Sequence, residues 1–276
     1  MAQSVNESPN EILKHWNRNY PVAAKLDNEL ESESKKSHTR YIPPSSNVNG
    51  ICIALTIFLL WCFFWYHAVF QINLSKTHKS NRSHWFDVIF TFVILEFLYT
   101  GLFITCHDAM HGCIVYRYQK LNNLIGYVCF TMYAWLDYNR MYVKHWQHHN
   151  HAGLVGKDPD FHDGRFISLP VWYAKFMYEY SSIKQIVKVL LWTQFLIHVL
   201  HVETINVVVY MAICPLLSSF RLFYFGTYLP HKPNEDASEI MNWEKTRTSK
   251  ANRLISFLCC YHFDYHWEHH RWPYAP

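Results

Sequence analysis

The chain has 276 residues, 50% of them hydrophobic and 18% aromatic, with 19 histidines and a formal net charge of +4. The positive excess is diffuse, with no dense basic run and no stacked aromatic platform, which excludes a nucleic-acid-binding role of the usual kind. The eight cysteines contain no C-x-x-C pair, which excludes a disulfide framework, an iron–sulfur cluster, a zinc ribbon and attached haem and leaves them as buried or membrane-embedded thiols.

Residues 1–49 are charged and rich in Ser, Pro and Asn ("NELESESKKSHTRYIPPSSNVNG"), and they read as a flexible polar tail. No apolar core near Met1 marks a secretory signal, and the acidic residues make a poor transit peptide. Residues 50–276 are expected to form one membrane-embedded domain. A run of about 20 apolar residues crosses the hydrocarbon core as a helix. Residues 50–72 ("GICIALTIFLLWCFFWYHAVFQI") meet that test, and residues 85–106 meet it with Asp87 and Glu96 inside. Residues 186–200 and 204–229 add two further expected crossings around the short turn "HVET". The predicted fold class is therefore an all-α integral membrane protein with about four transmembrane helices.

Four crossings place both ends of the chain on one face, together with residues 107–185 and everything after Pro230. Lys and Arg favour that face, the bias of a cytoplasmic or stromal side. Leu121–Leu136 is apolar but short, so an interfacial segment over 121–136 on the same face is expected. If it crossed, His145 would be separated from His107.

With that topology the histidines gather. "HDAMH" supplies His107 and His111 at i and i+4. "HWQHH" supplies His145, His148 and His149, and "HWEHH" supplies His266, His269 and His270, each at i, i+3 and i+4. That spacing puts each set on one face of a helix. His262, four residues before His266, is expected to extend the last set. His15, His38, His67, His78, His84, His198 and His201 stand alone and read as ordinary interfacial residues. Neutral imidazoles suit zinc, copper, nickel or iron. Eight clustered histidines exceed the three or four protein ligands of one zinc and suit two metals; two irons fit oxygen chemistry in a membrane. A zinc-protease reading of "HDAMH", with Asp108 as base, leaves the two larger clusters unexplained.

The three boxes resemble those of the histidine-box di-iron membrane oxygenases and desaturases. More narrowly, "LYTGLFITCHDAMHG", "KHWQHHNHAG" with "GKDPDFH", "FRLFYFGTYLPHKP" and "SFLCCYHFDYHWEHHRWPYAP" resemble the β-carotene ketolases of green algae. The family usually continues past a final Pro-Trp-Trp, whereas this chain ends at Pro276. The resemblance implies a desaturase/hydroxylase-like helical fold with a histidine-rich cap. It implies two ferrous ions, dioxygen as co-substrate, and oxidation of the allylic C4 of a β-ionone ring to a ketone through two hydroxylations and loss of water. β-Carotene would give echinenone and canthaxanthin, and zeaxanthin, where accepted, astaxanthin. Carotenoid 3-hydroxylases and fatty-acid desaturases or hydroxylases are the alternatives within the superfamily. A zinc transporter or metal store is the alternative outside it. In an alga the membrane would be that of the chloroplast.

The expected metal ligands are His107, His111, His145, His148, His149, His266, His269 and His270. His231, in "GTYLPHKP", resembles the isolated extra histidine by which the superfamily completes its set. His151 and His262 are expected either to ligate or to orient a ligand by hydrogen bonding. Asp108, Asp137, Asp158, Asp160, Asp264 and Glu268 are candidate acceptors for ring N–H groups, or solvated carboxylates. Glu96, eleven residues before His107, faces the same way on a helix and is expected to line the substrate path or to pack as a protonated side chain. Arg221 sits close enough to a helix end to snorkel. With no dinucleotide fingerprint in the chain, electrons are expected from a separate donor, a ferredoxin-type protein or comparable reductase.

Overall fold

A computed structural model describes residues 46–75, 82–116, 118–154, 156–161, 168–232 and 246–274. The expected tail, apart from residues 46–49, lies outside these residues, as do His15, His38 and His78. Every regular element among the described residues is helical: α1 (Val48–Gln71), α2 (Arg82–Met110), α3 (Gln119–Ala134), α4 (Tyr138–His151), α5 (Leu169–Tyr180), α6 (Ile183–His198), α7 (Thr204–His231), α8 (Arg253–Cys260) and α9 (His266–Arg271).

α1, α2 and α7 have 24, 29 and 28 residues and are long and apolar enough to cross a membrane. The chain is thus membrane-associated through them. α1 starts, and α2 and α7 finish, at the end where the histidines lie. The α1 start is held there by Asn47, whose Oδ1 accepts from Tyr116 N–H at 2.8 Å. At the far end α1 closes in a π-helical turn, His67–Gln71, whose widened backbone is caught by α7: Asn206 Nδ2 donates to Ile72 O at 2.6 Å and Ala68 O at 3.2 Å. α7 carries two π-helical turns of its own, Val209–Ile213 and Tyr224–Tyr228. Each ends two residues before a proline, Pro215 or Pro230. Proline has no N–H to return to the carbonyl four residues back, so the ladder loosens there.

The expected crossing over 186–200 lies in α6. That helix has 16 residues and a length of about 24 Å at 1.5 Å per residue, short of the roughly 30 Å hydrocarbon core. It begins beside the end of α3, where Gln185 Nε2 donates to Ala134 O at 3.0 Å, and runs to the far end, where Leu196 and Val202 pack with Val69 and Val207.

The segment 121–136 folds as α3 and packs antiparallel along the histidine-end half of α2. Asn122 Nδ2 donates to Ala109 O at 2.5 Å, Phe130 meets Phe103 and Tyr133 meets Tyr99. A left-handed residue, Trp135 (φ 55°), turns the chain back, and Asp137 caps α4 by accepting from Arg140 N–H at 3.1 Å. The hairpin begins and ends at the histidine end and so returns His145 to His111.

Candidate metal centre

Two groups of imidazoles converge at this end. His107, His111, His145, His149 and His269 form one; His148, His231, His266 and His270 form the other. All nine expected ligands are brought together, from α2, α4, α7 and α9. Within each group the ligating atoms lie within 4.8 Å of one another. The groups adjoin, since the His149 ring stacks on His270 with centroids 4.3 Å apart.

The nitrogen spacing tests whether a cation fits. His145 Nε2 lies 2.7 Å from His111 Nε2 and 3.1 Å from His149 Nε2. His269 Nε2 lies 3.1 Å from His107 Nε2 and 3.0 Å from His149 Nε2. His270 Nε2 lies 3.1 Å from both His148 Nε2 and His266 Nε2. A neutral ring nitrogen carries either one hydrogen or one lone pair, so none of the three can be hydrogen-bonded to both neighbours. A shared cation satisfies all of them. With a metal–imidazole distance of about 2.1 Å, adjacent ligand nitrogens stand about 3.0 Å apart in an octahedron and about 3.4 Å apart in a tetrahedron. The observed edges match the more crowded arrangement, and the residues present fit two metal ions.

Electrostatics point the same way. Burial, reinforced by the neighbouring imidazoles, holds His111, His145, His149, His266, His269 and His270 well below the ordinary histidine value. Each is therefore neutral, the form that offers a lone pair. His148 differs: burial lowers it, but Asp158 and Asp160 outweigh that and push it up to about 9.

The carboxylates divide. His148 Nδ1 donates to Asp158 Oδ1 at 2.8 Å, and His107 Nδ1 stands 3.1 Å from Asp108 Oδ1. Asp158 is itself held by N–H groups of Gly153 (2.7 Å) and Asp160 (2.9 Å). Such a contact fixes which ring nitrogen faces the metal. Asp160 stands 3.8 Å from His148 and accepts from Tyr180 OH. Asp137 caps α4, Asp264 accepts from Ser256, and Glu268 Oε2 is buried without a hydrogen-bond partner. Asp158→Asn is expected to weaken metal retention about 10–100-fold, the usual effect of losing such a partner; chelator competition on the purified protein measures it.

His151 and His262 lie outside both groups. His151 Nδ1 contacts Gln147 O at 3.1 Å, one turn back on α4. His262 has φ 66°, is exposed, and meets Ser256 Oγ at 2.9 Å, so the helical stripe expected to join it to His266 is broken. Glu96 is not solitary but ion-paired. Arg221 pairs with it through Nε–Oε1 at 2.9 Å and Nη2–Oε2 at 2.5 Å, so Arg221 turns inward instead of snorkelling.

An almost wholly apolar cavity of about 290 Å³ is formed by α2 to α7, and none of the nine histidines lines it. Phe103 and Met141, which line it, stand one helical turn before His107 and His145.

A fatty acid desaturase family profile matches residues 83–187 and 173–276. A β-carotene ketolase of Haematococcus lacustris is 44% identical over all of this chain and 90% of its own length. The chain belongs to the fatty acid desaturase family, on its β-carotene ketolase branch. A zeaxanthin 4-ketolase of Chlamydomonas reinhardtii is 44% identical over 96% of this chain and 60% of its own length. A β-carotene ketolase from a Paracoccus species is 34% identical over 80% of this chain and 86% of its own length. No solved structure matches.

Proposed function

We propose that this protein is an O2-dependent di-iron oxygenase that converts C4 of a β-ionone ring to a ketone, with β-carotene as substrate. The observation that carries the reading is the convergence of nine imidazoles, in groups of five and four, one helical turn beyond the Phe103 and Met141 wall of an apolar cavity. Full-length similarity to proteins named β-carotene ketolases supports the substrate class. An external donor, a ferredoxin-type protein or comparable reductase, supplies two electrons per round. The histidine end faces the stroma or cytoplasm, in an algal cell from a chloroplast membrane.

Bound as a ferrous pair, the metals supply dioxygen activation and the removal of an allylic hydrogen. The protein supplies the rest. His107, His111, His145, His149 and His269 would hold one ion, and His148, His231, His266 and His270 the other. Asp158 and Asp108 keep Nδ1 of His148 and His107 occupied, so that Nε2 faces the metal. A hydrocarbon ring would enter the cavity with almost no polar group to desolvate, and Phe103 and Met141, one helical turn before His107 and His145, would form its wall on the side of the centre. Two rounds, each consuming one dioxygen, two electrons and two protons, leave two hydroxyls on one carbon, and loss of water gives the ketone.

Expression of the chain in a bacterium that accumulates β-carotene tests the reading. Echinenone and canthaxanthin are the expected products, and the purified protein is expected to carry about two irons and little zinc. A 3-hydroxylated product without ketone would overturn the C4 assignment, and zinc in place of iron would overturn the oxygenase.

A further inference from the structure

Arg221 lies within α7, ten residues before His231, and Glu96 within α2, eleven before His107. Their pairing is two-pronged, as described, and the Glu96 side chain is only 8% exposed. The remaining arm of the guanidinium reaches a third element: Nη1 donates to Leu258 O at 2.9 Å and Cys259 O at 3.1 Å, both in the last turn of α8. The last carbonyls of a helix have no partner in its own ladder. Here the chain recovers some of them. Tyr261 N–H returns to Phe257 O at 2.8 Å, His262 N–H to Ser256 O at 3.3 Å and Phe263 N–H to Cys260 O at 2.9 Å. The backbone leaves Leu258 O and Cys259 O, and those are the two that Arg221 takes. Four of its five N–H donors are thereby engaged, against a carboxylate and against a helix end that carries partial negative charge. Tyr261 strengthens the same junction: its OH donates to Phe97 O at 3.1 Å and its ring stacks on Phe97 at 4.3 Å.

α8 leads through Tyr261 and His262, both left-handed, directly into His266, His269 and His270. We propose that Arg221, oriented by Glu96, is a positioning residue that anchors the end of α8 and so sets where the last three histidines meet those of α2 and α4; the role rests on the metal-centre reading. A buried ion pair alone is weak evidence of stabilisation. The distinguishing feature is the fork. A lysine could neutralise Glu96, but its single ammonium cannot serve a carboxylate and two carbonyls in the geometry of a planar guanidinium.

The test compares full-length parent and Arg221→Lys in detergent, by hydrogen exchange and by cobalt(II) binding to the metal-free protein. Arg221→Lys is expected to accumulate like the parent, while amides of residues 256–272 exchange about tenfold faster and those of residues 95–110 are unchanged. The visible cobalt spectrum is expected to shift, and ketone formation to fall about tenfold or more. Parent-like exchange over 256–272 together with a parent-like cobalt spectrum would overturn the proposal. Should Arg221→Lys fail to accumulate, the double variant Glu96→Gln/Arg221→Met, which leaves no unpaired charge, replaces it with the same expected local loosening. Parent-like exchange in that variant, or failure of both variants to accumulate, assigns the pair to folding alone and overturns positioning. A parent that binds no metal sinks the metal reading instead, and the exchange comparison still decides the anchor.

Discussion

His270→Ala is expected to lower iron from about two per chain to about one and to bring ketone formation below detection, with the protein still accumulating. The reason is the ligand count. The second group has four imidazoles, so removing His270 leaves three, and His270 Nε2 is the atom that sits 3.1 Å from both His148 and His266. Its loss opens the middle of the group. The ring also stacks on His149 at 4.3 Å, so the void adjoins the other group. His149→Ala supplies the contrast, because four imidazoles remain around the first ion. Iron content in that variant should stay closer to two, with catalysis still strongly reduced because the coordination is altered. Elemental analysis of both variants beside product chromatography separates the two effects. Equal iron content in His270→Ala and the parent would remove His270 from the ligand set.

The histidine sets were legible because i, i+3 and i+4 spacing states which side chains share a helical face, and the α4 and α9 sets obey it. The same rule failed at His262, since Tyr261 and His262 are left-handed and end the periodicity. His151, expected to ligate or to orient a ligand, sits in the last turn of α4 and contacts Gln147 O instead. His231 belongs to no repeated spacing, and only its likeness to a family feature pointed to it. Partners far apart in the chain were not legible. Glu96 and Arg221 each read as an isolated charge in an apolar run, and only the packing of α2 against α7 joins them across 125 positions. Asp158 could not be told from five other carboxylates, because its contact with His148 depends on the path of the loop after α4. Apolar length placed α1, α2 and α7 within a few residues of their observed ends. It could not show that α6 begins level with the end of α3, well short of the histidine end, because hydropathy reports composition and not depth.

Gly226→Ala is expected to lower ketone formation about a hundredfold, although glycine and alanine differ by a single methyl. Gly226 lies in the π-helical turn of α7 against the Phe263 ring: a Cβ there would stand 2.0 Å from Phe263 Cε1 and 2.4 Å from Cδ1. An aromatic ring cannot yield that distance by bending a flexible tip, so it must move as a body. The same ring is in contact with the centre. The ring packs edge-on to His107 at 4.8 Å and His266 at 5.5 Å, with His269 at 6.3 Å, so displacement drives it among ligands of both groups. Iron content should fall along with activity, as expected of a distorted centre. The compensating change is Gly226→Ala/Phe263→Leu, which removes the ring edge that collides with the new methyl. Recovery of iron and of most ketone formation in the double variant would attribute the loss to that collision. A single variant that keeps parent-like turnover would show that the α7–Phe263 contact has room to spare, and that the histidines tolerate movement of the aromatic wall behind them.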